Sequence, residues 1–189
     1  RQHGEASSDR PIAMMREYVA LLRECLSGES VTFEGDFWQV KRFRLGVRLA
    51  QRRPKIVMAA LNPQMLKLAG EIADGVLLNY VPASHIGACV ERIRAGGDAT
   101  IFAYVHAAVG DLERSARSAR RDLFNYAMAG GYANMFRAAG FTEEVDELHA
   151  RMVERDRDGA LATISERMIQ AIDFIGSAQE VTDFVRSYV

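Results

Sequence analysis

Residues 53–78 read RPKIVMAALNPQMLKLAGEIADGVLL and decide the fold of this chain. The run Lys55–Ala60 is almost entirely apolar, which is typical of a strand buried on both faces of a parallel sheet. Asn62-Pro63 carries the residue types that begin a helix. Asp74-Gly75 then turns directly into a second apolar run, Val76–Val81. This succession predicts two parallel strands joined by a helix.

The same alternation continues downstream. A helix from about Ser84 to Ala95 precedes a third strand, Thr100–Val109, and the chain is nearly all helical from Asp111 onward. Three parallel strands with flanking helices define an α/β fold. Periodicity alone leaves open whether they form an open doubly wound sheet or a piece of a barrel.

The segment before these strands has a different pattern. Pro11 begins a helix whose apolar residues recur at helical spacing, and Gly28 ends it. Residues 30–53 are predicted as an inserted hairpin and loop. The hairpin is Val31–Val40 with its turn at Gly35-Asp36, and the basic stretch Lys41–Arg53 is the loop.

Composition limits the classes of function. The 189 residues suit one domain, and a net charge of −1 gives no electrostatic reason to expect nucleic acid or an acidic membrane as partner. The apolar runs are too short to span a bilayer. Cys25 and Cys89 lie within apolar helical patterns, so we expect reduced thiols and a cytoplasmic protein. The histidines have no metal-ligand spacing, and we expect no metal site.

The carboxyl ends of the first two strands are the candidate binding site, because ligands bind there in parallel α/β folds. Small residues let a ligand approach the backbone, and the helix that follows offers free N–H groups to a phosphate. An ordinary helix cap and an ordinary strand exit are the competing interpretation. The candidate cofactor-binding residues are Ala59, Ala60, Leu61, Asn62, Asn79, Tyr80 and Val81.

Other side chains are weaker candidates. His106 alternates with Phe102 and Tyr104 and could face a barrel interior, although a hydrogen-bonded core or rim histidine is commoner. A basic stripe could attract an anion, and four aromatic residues could line a substrate mouth, but a solvated face and helix packing are the commoner explanations. The stripe is Arg114, Arg117, Arg120 and Arg121, and the aromatic residues are Tyr126, Tyr132, Phe136 and Phe141. No catalytic residue is assigned.

The stretch 53–78 resembles the central signature of the luciferase-like monooxygenase superfamily, most closely the branch that uses the deazaflavin coenzyme F-420. His3-Gly4, Asp9-Arg10-Pro11 and Gly28-Glu29 support the likeness upstream, and Gly176–Val181 supports it downstream. The likeness extends over essentially the whole chain.

The resemblance implies a (β/α)₈ TIM barrel in which the two strand exits contact the ribityl phosphate of the coenzyme. Counted against that barrel, the chain would begin after the fourth strand and end before the eighth. We therefore expect an incomplete barrel, the later portion of a longer protein. Some relatives have glycine and lysine at the second exit, where this chain has Asn79, Tyr80, Val81 and Pro82.

The function implied is hydride transfer between coenzyme F-420 and a small organic substrate, by a homodimer. An FMN-dependent monooxygenase is the nearest alternative. Two further alternatives belong to other functional classes. One is a non-catalytic flavin-binding or dimerising protein, and the other is a helical interaction module.

Overall fold

The computed structural model describes residues 9–47 and 53–188. Helix α1 (Pro11–Cys25) leads into an antiparallel hairpin of β1 (Val31–Glu34) and β2 (Gln39–Phe43). The predicted hairpin is confirmed. The prediction of a loop from Lys41 is wrong for residues 41–43, because Phe43 pairs with Val31 and so extends the second strand. Residues 48–52 of the predicted loop lie outside the described residues.

The hairpin is attached to α1 by one carboxylate. Glu17 accepts backbone N–H bonds from Asp36, Phe37 and Trp38 at 2.9, 2.9 and 2.8 Å. Hydrogen bonds to an ionised acceptor are stronger than neutral ones. This side chain therefore holds the turn of the hairpin against the helix.

The predicted β-α-β-α-β succession is confirmed. Its five elements are β3 (Val57–Ala59), α2 (Pro63–Ile72), β4 (Gly75–Asn79), α3 (Ala83–Arg94) and β5 (Thr100–Tyr104). The three strands lie side by side in the order β3-β4-β5, and both pairings are parallel.

The two faces of this sheet differ in burial. Met58, Val76 and Leu78 are only 6%, 0% and 1% exposed and belong to the hydrophobic core. The opposite face carries the paired row Ala59, Leu77 and Phe102, and Phe102 is 46% exposed. Side chains alternate between faces along a strand, so the register of β3 and β4 decides which row is buried.

The third predicted strand is divided in the structure. Val105 separates β5 from β6 (His106–Val109), and β6 pairs in parallel with β7 (Asp173–Gly176). The prediction of a nearly all-helical C-terminal part is therefore wrong at β7. Four residues are too few for an apolar period to be recognised, and the strand follows a helix without a break.

The remaining elements are helices. They are α4 (Leu112–Ala127), α5 (Gly130–Ala138), α6 (Thr142–Val153), α7 (Arg157–Ala162), α8 (Glu166–Ile172) and α9 (Ala178–Arg186). In the part of the chain that the structure describes, no helix is both long and apolar enough to cross a membrane.

Glycines bring α2 and α3 into backbone contact. A Cβ atom at Gly70 would overlap the carbonyl oxygen of Ile93, and one at Gly96 would overlap the carbonyl oxygen of Lys67. Ile93 is fully buried, so neither backbone can move without disturbing the core.

Gly70→Ala is expected to lower the free energy of unfolding by about 1–3 kcal/mol through overpacking. Gly87→Ala is the matched control, because Gly87 lies in α3 with open space around its Cα. It should raise stability by about 0.5–1 kcal/mol. Urea unfolding of both variants checks this, and equal effects would contradict the close packing.

Candidate functional site

A cavity of about 290 Å³ lies where β3 and β4 end. Five of the seven predicted cofactor-binding residues line it, which are Ala59, Ala60, Leu61, Asn62 and Asn79. Met65, Leu77 and Tyr132 complete the lining. The parallel register of the two strands brings both exits to the same edge of the sheet. The two sequence segments therefore meet at one cavity.

The other two predicted residues are not part of this lining. Tyr80 is 5% exposed, has a φ of +55°, and stacks on His106 with ring centroids 3.7 Å apart. Val81 is 4% exposed, and its carbonyl accepts a hydrogen bond from the Tyr188 hydroxyl at 2.9 Å. Both residues are therefore buried in the packing around the strand exit and do not line the cavity.

Two side-chain amides connect the strand exits to the first turn of α5. The Asn62 Nδ2 group donates to the carbonyl of Gly131 at 3.0 Å. The Asn79 Nδ2 group donates to the hydroxyl of Tyr132 at 2.9 Å. Asn62 occupies the predicted N-cap position of α2, but its side chain makes no cap bond there. These amides hold α5 beside the cavity, a role the sequence did not indicate.

His106 belongs to the same hydrogen-bond network. Its Nε2 atom lies 2.9 Å from the Asn79 Oδ1 atom, and its ring lies between those of Tyr80 and Tyr104. Asn79 thus joins His106 on β6 to Tyr132 on α5. The hydrogen bond to Asn79 agrees with the commoner interpretation of His106 as a hydrogen-bonded core or rim histidine.

Two helices begin near the cavity without a cap. Neither α2 nor α5 has an N-terminal side-chain cap bond or an acidic residue in its first turn. The first N–H groups of a helix have no intrahelical partner, and the positive end of the helix dipole lies there. Both helix starts favour an anion. The residues that line the cavity include no lysine or arginine.

Burial shifts the pKa values of the groups around Asn79. Loss of hydration raises the pKa of the Tyr132 phenol above its ordinary 10.0, although the hydrogen bond from Asn79 lowers it. Burial also raises the pKa of Tyr80. Burial lowers the pKa of His106 below 6.5, although the negative charge of Asp122 raises it. The phenols therefore stay neutral and can donate hydrogen bonds at neutral pH.

The remaining sequence candidates take structural roles. Phe136 and Phe141 are 0% and 3% exposed and pack in the core, whereas Tyr132, of the same aromatic set, reaches the cavity. In the basic stripe, Arg117 pairs with Glu113, and the Arg120 Nε–H donates to the carbonyl of Ile164. Burial raises the pKa of the Cys89 thiol to about 11, so it stays protonated.

The fold and site define an α/β protein with a cavity at the carboxyl ends of parallel strands. The cavity is largely apolar and has polar side chains at Asn62, Asn79 and Tyr132. The model of the luciferase-like monooxygenase family matches residues 1–189. The chain belongs to this family.

Two known proteins illustrate the similarity in sequence. The 5,10-methylenetetrahydromethanopterin reductase of Archaeoglobus fulgidus is 25% identical over 93% of this chain and 56% of its own length. The F-420-dependent glucose-6-phosphate dehydrogenase of Nakamurella multipartita is 38% identical over 34% of this chain and 19% of its own length. The first of these comparisons shows that this chain spans just over half the length of the Archaeoglobus fulgidus reductase.

A solved structure agrees in fold. The coenzyme F-420-dependent tetrahydromethanopterin reductase from Methanopyrus kandleri superposes with a TM-score of 0.71 at 23% identity. The match covers 98% of this chain and 56% of the reductase chain. The parallel strands and their flanking helices thus have the arrangement of a TIM-barrel-like enzyme.

Asn62→Ala is expected to loosen the first turn of α5, because the variant loses the bond to Gly131. The free energy of local opening there should fall by about 1 kcal/mol, the contribution of one hydrogen bond. Amide hydrogen exchange of residues 133–136 measures it. Asn134→Ala, an exposed substitution on the same helix, is the control, and equal exchange in the two variants would refute the role of Asn62.

Asp122→Asn is expected to lower two pKa values at once. The Asp122 carboxylate favours the imidazolium form of His106 and disfavours ionisation of Asp173. Its removal should move the pKa of His106 further below 6.5 and that of Asp173 back toward 3.8. NMR titration of both groups checks this. A rise in either value would show that Asp122 does not act through its charge.

Proposed function

We propose that this chain forms part of the coenzyme site of an F-420-dependent oxidoreductase that acts on a small organic substrate. The observation that carries the proposal is the cavity shared by the β3 and β4 exits. The name of the dehydrogenase relative from Nakamurella multipartita supports F-420 as the coenzyme. When bound, the deazaflavin ring would supply the hydride chemistry, and the protein would supply binding and orientation.

The cavity fits the phosphate-bearing end of such a coenzyme. Sites that enclose a whole drug-sized ligand measure roughly 300–1,000 Å³, so a cavity of about 290 Å³ suits one end of a larger molecule. Its apolar walls suit a carbon chain. The uncapped starts of α2 and α5 supply N–H groups and positive dipole ends in place of a cationic side chain.

The incomplete (β/α)₈ barrel is part of this proposal. The exposed row that contains Phe102 and Tyr104 would be the inner wall of the barrel, since it follows the same face as the cavity residues Ala59 and Leu77. A homodimer and a cytoplasmic location stay predictions from the sequence.

Titration of the purified chain with coenzyme F-420, followed by the fluorescence of the coenzyme, tests the function. We expect saturable binding that is tighter than the binding of FMN. Tighter binding of FMN, or no binding of either molecule, would contradict the proposal.

Asn62→Asp tests the placement of the phosphate. This variant loses the bond to Gly131 and also brings a carboxylate beside the phosphate, whereas Asn62→Ala only loses the bond. We expect Asn62→Asp to bind F-420 about tenfold more weakly than Asn62→Ala, because like charges repel at short range. Equal affinities of the two variants would place the phosphate elsewhere.

A further inference from the structure

The hydroxyl group of Tyr132 lies at the wall of the cavity, where it accepts one hydrogen bond and can still donate another. Its oxygen accepts the hydrogen bond from Asn79 at 2.9 Å. Among residues 9–47 and 53–188, no acceptor for the hydroxyl proton is found. A phenol can donate one hydrogen bond as well as accept, so this proton is available to a ligand.

Asn79 can hold the phenol in this state because both ends of its amide are engaged. The Oδ1 atom faces His106 Nε2, and the Nδ2 group faces the Tyr132 oxygen. An oxygen can only accept, so His106 must carry a proton on Nε2. The imidazolium and the neutral Nε2–H tautomer both satisfy this requirement. Only the Nδ1–H tautomer would turn the amide around and make Tyr132 donate to Asn79 instead.

The cavity lining offers few other hydrogen-bond donors to a ligand. Its other lining residues are apolar, except for Asn79 and for Asn62, whose amide directs one of its two N–H groups to the carbonyl of Gly131. A phosphate oxygen only accepts hydrogen bonds, and no cationic side chain lines the cavity. A side-chain donor would therefore complement the backbone N–H groups of the two helix starts.

We propose that Tyr132 donates a hydrogen bond to the phosphate of the bound coenzyme, and that Asn79 and His106 are positioning residues that keep its proton directed at the ligand. This inference rests on the proposed function. It assigns a phosphate contact to α5, which lies outside the strand exits, and it makes the tautomer of His106 part of the binding site.

Tyr132→Phe tests the contact, since it keeps the ring and removes only the hydroxyl. We expect affinity for F-420 to fall about tenfold or more, as for a hydrogen bond to a charged group. The deazaflavin–ribityl fragment that lacks the phosphate is the control ligand, and its affinity should not change. An equal loss for both ligands would place the contact on the ribityl chain and overturn the phosphate assignment, as would no loss for either.

A double-mutant cycle tests the positioning. His106→Gln retains an N–H donor toward Asn79, so Tyr132→Phe should still cost about tenfold in that background. At a pH where the new carboxyl group is ionised, His106→Glu presents only acceptor atoms, which turns the amide and draws the Tyr132 proton away from the cavity. There Tyr132→Phe should cost almost nothing, and the repulsion of the new carboxylate cancels because both members of the pair carry it. An equal cost in both backgrounds would show that His106 does not direct the proton.

The tautomer of His106 in the free chain separates this inference from the proposed function. Ring ¹⁵N spectra should show the Nε2–H form at a pH above the pKa of the ring, and the Nδ1–H form would overturn the positioning role whether or not coenzyme binds. If the tautomer is Nε2–H but the chain binds no F-420, the proposed function and its ligand fail while the orientation of Tyr132 stands.

Discussion

The parallel register of β3 and β4 is the constraint on which the rest of the structure depends. Met58 lies opposite Val76, and both are directed into the core with Leu78. A slip of one residue would expose this row and bury the row of Ala59 instead. The same register places the ends of both strands at one edge of the sheet. Burial of apolar side chains on one face thus fixes the position of a cavity on the other.

Helix α5 completes the site from a distant part of the sequence. Its hydrogen bonds to the strand exits join residues 69 and 53 positions apart. Asn79 ends β4 and Asn62 follows β3 at the start of α2, so each amide joins a strand exit to α5. The site therefore combines a rigid sheet edge with a helix whose position depends on a few polar contacts. A change in those contacts would alter the cavity without changing the fold.

Much of this arrangement follows from the sequence, and the exceptions have physical causes. The run 53–78 predicts the two strands, their helix and the convergence of their exits, because apolar runs and an Asn-Pro helix start are local signals. Strand β7 is not predictable in this way, because its four residues are too few to show an apolar period. In the sequence Tyr132 and Phe136 are both aromatic residues at helical spacing, and only tertiary structure shows that Tyr132 reaches the cavity and Phe136 the core. The sequence places Asn62 and Asn79 at the strand exits, but no local pattern indicates their hydrogen-bond partners on α5.

The central claim is that the cavity between the two strand exits receives the phosphate of a deazaflavin coenzyme. A crystal structure of the chain with F-420 tests it most directly. The account predicts the phosphate between the backbone of residues 59–62 and the first turn of α5, within hydrogen-bond distance of the Tyr132 hydroxyl. A phosphate bound at the opposite edge of the sheet, or on the outer side of α2 and α3, would contradict it.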